Sequence, residues 1–141
     1  MYKSKFYFLN YQTIRSYFKF SELVTTSRAA SNFPNTPEQL SRLSFLWYVL
    51  NRIRDKFGSA IYINSAFRTP CVNDAVGGAS KSYHLHGLAA DIHTLPHLMD
   101  ELWNTIQQFN QQYPKLFVEI IDHRSEKSPY IHIAVNFDVY E

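Results

Sequence analysis

The sequence predicts an α+β fold, in which a small and largely antiparallel sheet has helices packed on one face. Two long segments, near residues 36–58 and 97–112, carry apolar residues at helical spacing. Four short segments have the composition or the alternation of strands, at 60–64, 88–93, 116–122 and 130–136. Together these segments make one layer of strands and one layer of helices.

The first long helix has clear start and stop signals. Thr36 is a suitable N-cap, Pro37 suits the first helical position, and Gln39 completes a capping box. Gly58 is expected to end the helix. Six apolar residues are expected on its buried side: Leu40, Leu43, Trp47, Leu50, Ile53 and Phe57.

A short strand at 60–64 follows, and the segment 69–76 places a proline at a suitable helix start. Thr94-Leu95-Pro96 then introduces the second long helix. Its expected apolar stripe consists of Leu98, Leu102, Ile106 and Phe109.

Length and composition set limits on the class of protein. A chain of 141 residues has the size of one domain, so we predict a single domain over 1–141 with an N-terminal extension at 1–17. The formal charge of +2 is too small to indicate a nucleic-acid partner. Cys71, the single cysteine, cannot form an internal disulfide and is expected to be a structural thiol. No apolar run approaches the length that spans a bilayer, so membrane insertion is not expected, and we expect a monomer.

A metal site is predicted by residues 82–91 together with a segment near the C-terminus. The first stretch holds His84 and Asp91, and the later segment Tyr130-Ile131-His132-Ile133 holds a third candidate ligand. Neutral imidazoles and a carboxylate are the usual ligands of a catalytic Zn²⁺, which keeps three protein ligands and one open position. Two histidines and one aspartate fit that count.

The spacing requires a turn and two strands. His84 and Asp91 are too far apart to lie on adjacent turns of one helix. Gly87 can supply a bend, after which the strand at 88–93 has Asp91 on one face and apolar residues on the other. The C-terminal strand alternates in the same way and has His132 on one face. Two strands could therefore each direct one ligand to the same side of a sheet.

These residues resemble the M15 family, the zinc D-Ala-D-Ala carboxypeptidases and related peptidoglycan peptidases, whose pattern is S-x-H-x-x-G-x-A-x-D with a later histidine. Segments 63–70 and 73–78 resemble the family's S-G-Y-R-S-P and N-x-x-V-G-G segments. The resemblance covers about residues 18–136 and is strongest to small phage-type members. The matching pattern residues are Ser82, His84, Gly87, Ala89 and Asp91.

The resemblance implies a single zinc peptidase domain of hedgehog/DD-peptidase-like fold, with one Zn²⁺ held by His84, Asp91 and His132. The implied substrate is a peptidoglycan stem peptide, cleaved as a D-Ala-D-Ala carboxypeptidase or as an endolysin-like endopeptidase. Arg68 is expected near the substrate, because a guanidinium suits a carbonyl oxygen that becomes negative or a terminal carboxylate. Ser82 is a second candidate for substrate binding, although it could instead cap a turn or donate to a ligand carboxylate.

Two residues are candidates for the general base. In relatives this residue stands two, three or six positions before the last ligand, and the sixth position here is Glu126. If the strands at 116–121 and 130–135 form a hairpin, either Glu126 or His123 comes close to His132. Tyr130 is not favoured as the acid.

Other polar features have ordinary structural interpretations. His86, His93 and His97 are expected to be structural, and Gly77-Gly78 is either a flexible loop or a positive-φ turn that orients the metal loop. Two other functions are considered besides the peptidase. The first alternative is a zinc-containing, non-hydrolytic binding module of hedgehog-like fold, and the second is a metal-free structural or virion-associated protein. The N-terminus shows no signal peptide. We therefore expect a protein that is made in a bacterial cytoplasm, encoded either by the bacterium or by a virus, and that acts on the cell wall.

Overall fold

A computed structural model describes residues 15–28 and 31–137. Four α-helices lie within the described residues: α1 Phe20–Leu23, α2 Pro37–Phe57, α3 Pro70–Ala75 and α4 Met99–Gln112. The same residues form four strands: β1 Tyr62–Ser65, β2 Ala89–His93, β3 Phe117–His123 and β4 Tyr130–Val135. Two 3₁₀ helices occupy Tyr83–His86 and Pro96–Leu98. Of the expected N-terminal extension, 1–14 lies outside the described residues.

The four strands form one antiparallel sheet in the order β1-β2-β4-β3. The predicted α+β class, the antiparallel sheet and the β3–β4 hairpin are therefore confirmed. The second long helix differs slightly from its expected range, because its first residues form the 3₁₀ turn Pro96–Leu98.

The two faces of the sheet differ in character. One face joins α2 and α4 in a single apolar cluster, through Ala90, Ile92, Ile131 and Ile133, which are all buried. The opposite face carries Asp91 and His132, which are only partly buried. We call it the open face, and the candidate site lies on it.

Helix α2 begins and ends where the sequence indicates. The Thr36 side chain accepts a hydrogen bond from Gln39 N, and Gly58 ends the helix at φ 81°. The expectation that Leu40 is buried is wrong, because 45% of its surface is exposed. The first turns of α2 extend past the core, and burial within the helix begins at Leu43. None of the helices in the described part of the chain is long and apolar enough to cross a membrane.

Gly87 fixes the metal-loop segment against α2. It ends the 3₁₀ helix Tyr83–His86 in the left-handed conformation, at φ 74°, as the predicted bend requires. A Cβ at this position would lie 3.0 Å from Gln39 O and 3.3 Å from Leu43 Cβ. The segment that carries His84 therefore depends on a glycine both for its conformation and for its close approach to the long helix.

Gly87→Ala should destabilise the fold more than Gly58→Ala does. Both glycines have positive φ, so both substitutions carry a conformational cost of about 1–2 kcal/mol. Gly58 has open space around its Cβ position, whereas Gly87 faces backbone and Leu43. Urea unfolding of both variants measures the difference, and equal losses of stability would show that the contact with α2 contributes nothing.

Candidate metal centre

His84 is held rigidly beneath the open face. Only 3% of its surface is exposed, and its Nδ1 lies 2.6 Å from Ala66 O. A carbonyl oxygen only accepts, so Nδ1 carries a proton, and in the neutral imidazole that metal binding requires the lone pair is on Nε2. Nε2 lies 3.3 Å from Asp91 Oδ2, and the backbone of His84 accepts a hydrogen bond from Arg68 N.

Asp91 and His132 face one another across the β2–β4 pair. They are directly opposite in the register, and His132 Nδ1 lies 2.8 Å from Asp91 Oδ1. The rings of His84 and His132 meet edge to face, with centroids 5.3 Å apart. The predicted arrangement, in which two strands direct ligands to one side of the sheet, is present.

The three side chains make a set that fits a divalent metal. One ligand atom from each of His84, Asp91 and His132 lies within 4.8 Å of the other two. Two imidazoles and one carboxylate are the donor set of a tetrahedral Zn²⁺ that keeps one open position. In each ring the nitrogen that points away from Asp91, the outer nitrogen, has another protein partner: Nδ1 of His84 contacts Ala66 O, and Nε2 of His132 contacts Glu119. The other nitrogen of each ring is directed at the Asp91 carboxylate.

The charges of the site support one another. Burial raises the pKa of Asp91, but hydrogen bonds from His132 and His84 outweigh it and hold that pKa well below its ordinary value. Burial lowers the pKa of His132, whereas its bonds to Asp91 and Glu119 raise it above the ordinary value. Asp91 is therefore an anionic carboxylate that stabilises positive charge on the imidazole of His132.

Arg68, which is expected near the substrate, lies beside Asp91 at the same site. Its NH2 group is 3.4 Å from Asp91 Oδ2, its Nε donates to Ser65 Oγ at 3.0 Å, and its NH1 donates to Asn73 Oδ1 at 3.2 Å. A guanidinium has five N–H donors, so two are left for another partner. The supporting roles of Ser65 and Asn73 were not recognised in the sequence.

The Gly77-Gly78 turn supports Arg68 indirectly. Gly77 has the positive φ of 71° that one interpretation of the pair predicts. Gly78 has a different requirement, because a Cβ there would lie 2.0 Å from Asn73 Oδ1, the acceptor for Arg68. The glycine pair thus leaves room for the buried amide that holds the guanidinium.

The two candidates for the general base, His123 and Glu126, form a hydrogen bond with each other. His123 Nδ1 lies 3.2 Å from Glu126 Oε1, and the His123 ring stacks on Tyr130 at 4.3 Å and 11°. His123 pairs with Tyr130 in the register, two positions along β4 from His132, or about 7 Å away.

The Tyr130 phenol lies among charged groups. Burial and the charges of Asp91 and Glu126 raise the pKa of Tyr130, while the charge of Arg68 lowers it. The Tyr130 phenol therefore stays protonated and is able to donate a hydrogen bond.

The turn that carries these candidates is anchored to α4. Arg124 donates to Asp122 through Nε and NH2, and its NH1 lies 2.7 Å from Asp100 Oδ1. Its guanidinium also lies over the Trp103 ring, 4.7 Å from the centroid. Hydrogen bonds from Arg124 lower the pKa of the Asp122 carboxyl to about 2. These contacts hold the turn that follows His123 against α4.

The remaining predicted residues take simpler positions. Ser82 caps the 3₁₀ helix by accepting a hydrogen bond from His84 N at 3.1 Å, and its contact with substrate stays a prediction. His86 and His97 are exposed, and His93 contacts Asn64. Within the described residues, the metal-binding group contains none of these three histidines.

Glu119 is a further residue of the site that the sequence patterns do not indicate, besides Ser65 and Asn73. Its Oε1 lies 2.8 Å from His132 Nε2. The available signal was an acidic residue inside the otherwise apolar run Leu116–Ile121. In the observed register Glu119 alternates with Ile121 and His123 on the face of His132, so the contact depends on a register that one strand alone does not specify.

A His-Asp-His group on the open face of an antiparallel sheet is the type of centre that a zinc peptidase uses. Residues 16–134 match the family described as Peptidase M15. The chain therefore belongs to the Peptidase M15 family, whose members are zinc-dependent metallopeptidases. None of the curated proteins compared with the chain matches it significantly.

Replacing His84, Asp91 or His132 with alanine should abolish stoichiometric zinc binding, because two protein ligands make a poor site. His97→Ala is the matched control, since His97 is exposed and outside the group. Zinc content of the metal-replete proteins, measured by atomic emission, checks this expectation. Full zinc occupancy in all three alanine variants would remove these residues as ligands.

Proposed function

We propose that this protein is a zinc peptidase that hydrolyses a bond in the stem peptide of peptidoglycan. The observation that carries the proposal is the convergence of His84, Asp91 and His132 in a chain of the Peptidase M15 family. The open face beside these residues supports it, because an extended peptide needs a surface that leaves the ligands accessible. A fold of the kind shared by DD-peptidases and hedgehog signalling domains is part of the same proposal.

In the proposed reaction, the side chains around the site bind and orient the substrate carbonyl. His84, Asp91 and His132 would hold a Zn²⁺, which would polarise that carbonyl and lower the pKa of the attacking water. The two free N–H groups of Arg68 donate to the oxygen as it becomes negative. Because Arg68 also contacts Asp91, its position is coupled to that of the ligand.

We propose His123 as the general base, with Glu126 as its positioning partner. A carboxylate accepts hydrogen bonds, so the contact at 3.2 Å puts the His123 proton on Nδ1 and leaves Nε2 free to take a proton. The Tyr130 ring supports the imidazole from one side. Glu126 has a side chain that is 52% exposed, which fits a partner at the rim of the site.

His123→Ala should lower kcat by about 10²–10⁴, the range for loss of a general base, while zinc stays bound. Glu126→Gln should cost less, and the double variant should be no slower than His123→Ala, since both residues act through one imidazole. Steady-state kinetics with zinc content measured in parallel tests this pattern. A Glu126→Gln variant as slow as the double variant, with His123→Ala near wild type, would transfer the base to Glu126.

The activity itself is tested with purified peptidoglycan of several wall types and with defined muropeptides, with and without chelator. Asp91→Ala is the matched control that removes a metal ligand. Mass spectrometry distinguishes loss of a terminal D-Ala, which identifies a carboxypeptidase, from a split stem or cross-link, which identifies an endopeptidase. Zinc-loaded protein that yields no product from any wall would overturn the proposal in favour of a non-hydrolytic binding module.

Action on the bacterial cell wall, by a protein made in a bacterial cytoplasm, belongs to this proposal. It rests on the chemistry of the substrate, because stem peptides occur in that wall. Products released from intact sacculi, rather than from soluble muropeptides alone, are the result expected of a wall-directed enzyme.

A further inference from the structure

A carboxylate lies at each nitrogen of the His132 ring. Asp91 Oδ1 is 2.8 Å from Nδ1, and Glu119 Oε1 is 2.8 Å from Nε2. His84 has a comparable contact at its outer nitrogen, but the acceptor there is the Ala66 main-chain carbonyl. Of these two outer contacts, only the one at His132 uses a charged side chain.

Glu119 lies on the open face because the pairing of β3 with β4 is regular from Glu119 to His123. Glu119, Ile121 and His123 pair with Ala134, His132 and Tyr130, so these side chains share the face of His132. The register shifts only before Glu119, where Phe117 pairs with Val135 and Val118 is an extra residue in β3. This bulge turns Phe117 toward the core, where it packs against the apolar cluster, while Glu119 stays on the open face.

The proton on His132 follows from these contacts. A metal takes an imidazole nitrogen only through its lone pair, so a ring bound through Nδ1 keeps its proton on Nε2. Glu119 is placed to accept that proton in a charge-assisted hydrogen bond. The same contact fixes the rotation of the ring, because Nδ1 and Nε2 are then directed to opposite partners.

The charges fit a divalent cation. Asp91 and Glu119 are the two carboxylates that contact His132, and together they carry two negative charges. The Glu119 carboxylate lies on the Nε2 side of the ring and outside the group of converging ligand atoms. Its geometry therefore suits a partner of the ligand and not a fourth ligand.

We propose that Glu119 is a positioning residue that holds His132 in its metal-binding tautomer and orientation, and so sets the affinity of the site for Zn²⁺. This inference rests on the proposed zinc site but not on the proposed hydrolysis. It assigns β3 a role in metal binding although that strand supplies no ligand.

Glu119→Ala should weaken Zn²⁺ binding by about 10–100-fold, the range measured when such a partner of a metal-binding histidine is lost. Glu119→Gln should restore part of the affinity, because the amide oxygen still accepts the hydrogen bond but the charge is gone. Competition with a chromogenic chelator gives the dissociation constants. Glu101→Ala, an exposed glutamate on α4, is the matched control.

Two further readouts separate this role from a merely structural one. Nitrogen-15 NMR of the histidines in the zinc-loaded protein should show His132 protonated at Nε2, with faster exchange of that proton in Glu119→Ala. The Co²⁺-substituted protein should show a changed visible spectrum in Glu119→Ala and not in Glu101→Ala. A zinc affinity equal to that of Glu101→Ala, with unchanged spectra, would overturn the inference.

The outcomes also separate this inference from the proposed function. Loss of affinity in Glu119→Ala without any peptidoglycan hydrolysis by the wild type would support the role of Glu119 and overturn the peptidase proposal. Peptidoglycan hydrolysis by the wild type, with a zinc affinity that is unchanged in Glu119→Ala, would support the peptidase proposal and overturn the role of Glu119.

Discussion

The candidate site depends on the register between β2 and β4. Asp91 and His132 are 41 residues apart in the chain, and the pairing of these strands places them directly opposite one another. The same pairing buries Ala90, Ile92, Ile131 and Ile133 on the other face. A slip of one residue would turn apolar side chains to the open face and both polar ones into the core. Burial of the apolar face therefore specifies the register and, with it, the site.

A second set of contacts attaches the site to the body of the fold. Gly87 approaches α2 closely, so the turn that carries His84 is fixed against the longest helix. Asn73, which is buried, holds Arg68 beside Asp91, and Gly78 leaves room for that amide. The candidate ligands thus stand on strands and a capped turn, where packing limits their motion more than on a long loop.

The β3–β4 hairpin brings further chemistry to the open face. Its turn is anchored to α4 through Arg124, and it carries the hydrogen-bonded His123 and Glu126 pair. The regular pairing of its two strands places Glu119 beside His132. Strand β3 supplies no candidate ligand, but it carries His123, the proposed proton acceptor, and Glu119, which contacts the candidate ligand His132, on the same face.

The sequence by itself determined the features that neighbouring residues encode. The Thr36 cap, the Gly58 stop, the bend at Gly87 and the three ligand candidates follow from short-range patterns, and the structure agrees with their positions. Only the tertiary structure decided the features that depend on pairing between distant segments. The register of β3 with β4 places Glu119 beside His132, the first turns of α2 leave Leu40 exposed, and Arg68 meets Ser65, Asn73 and Asp91. The register of the strands and the convergence of the site's side chains arise from packing of the whole sheet. Neither the apolar spacing of one segment nor a helix cap specifies them.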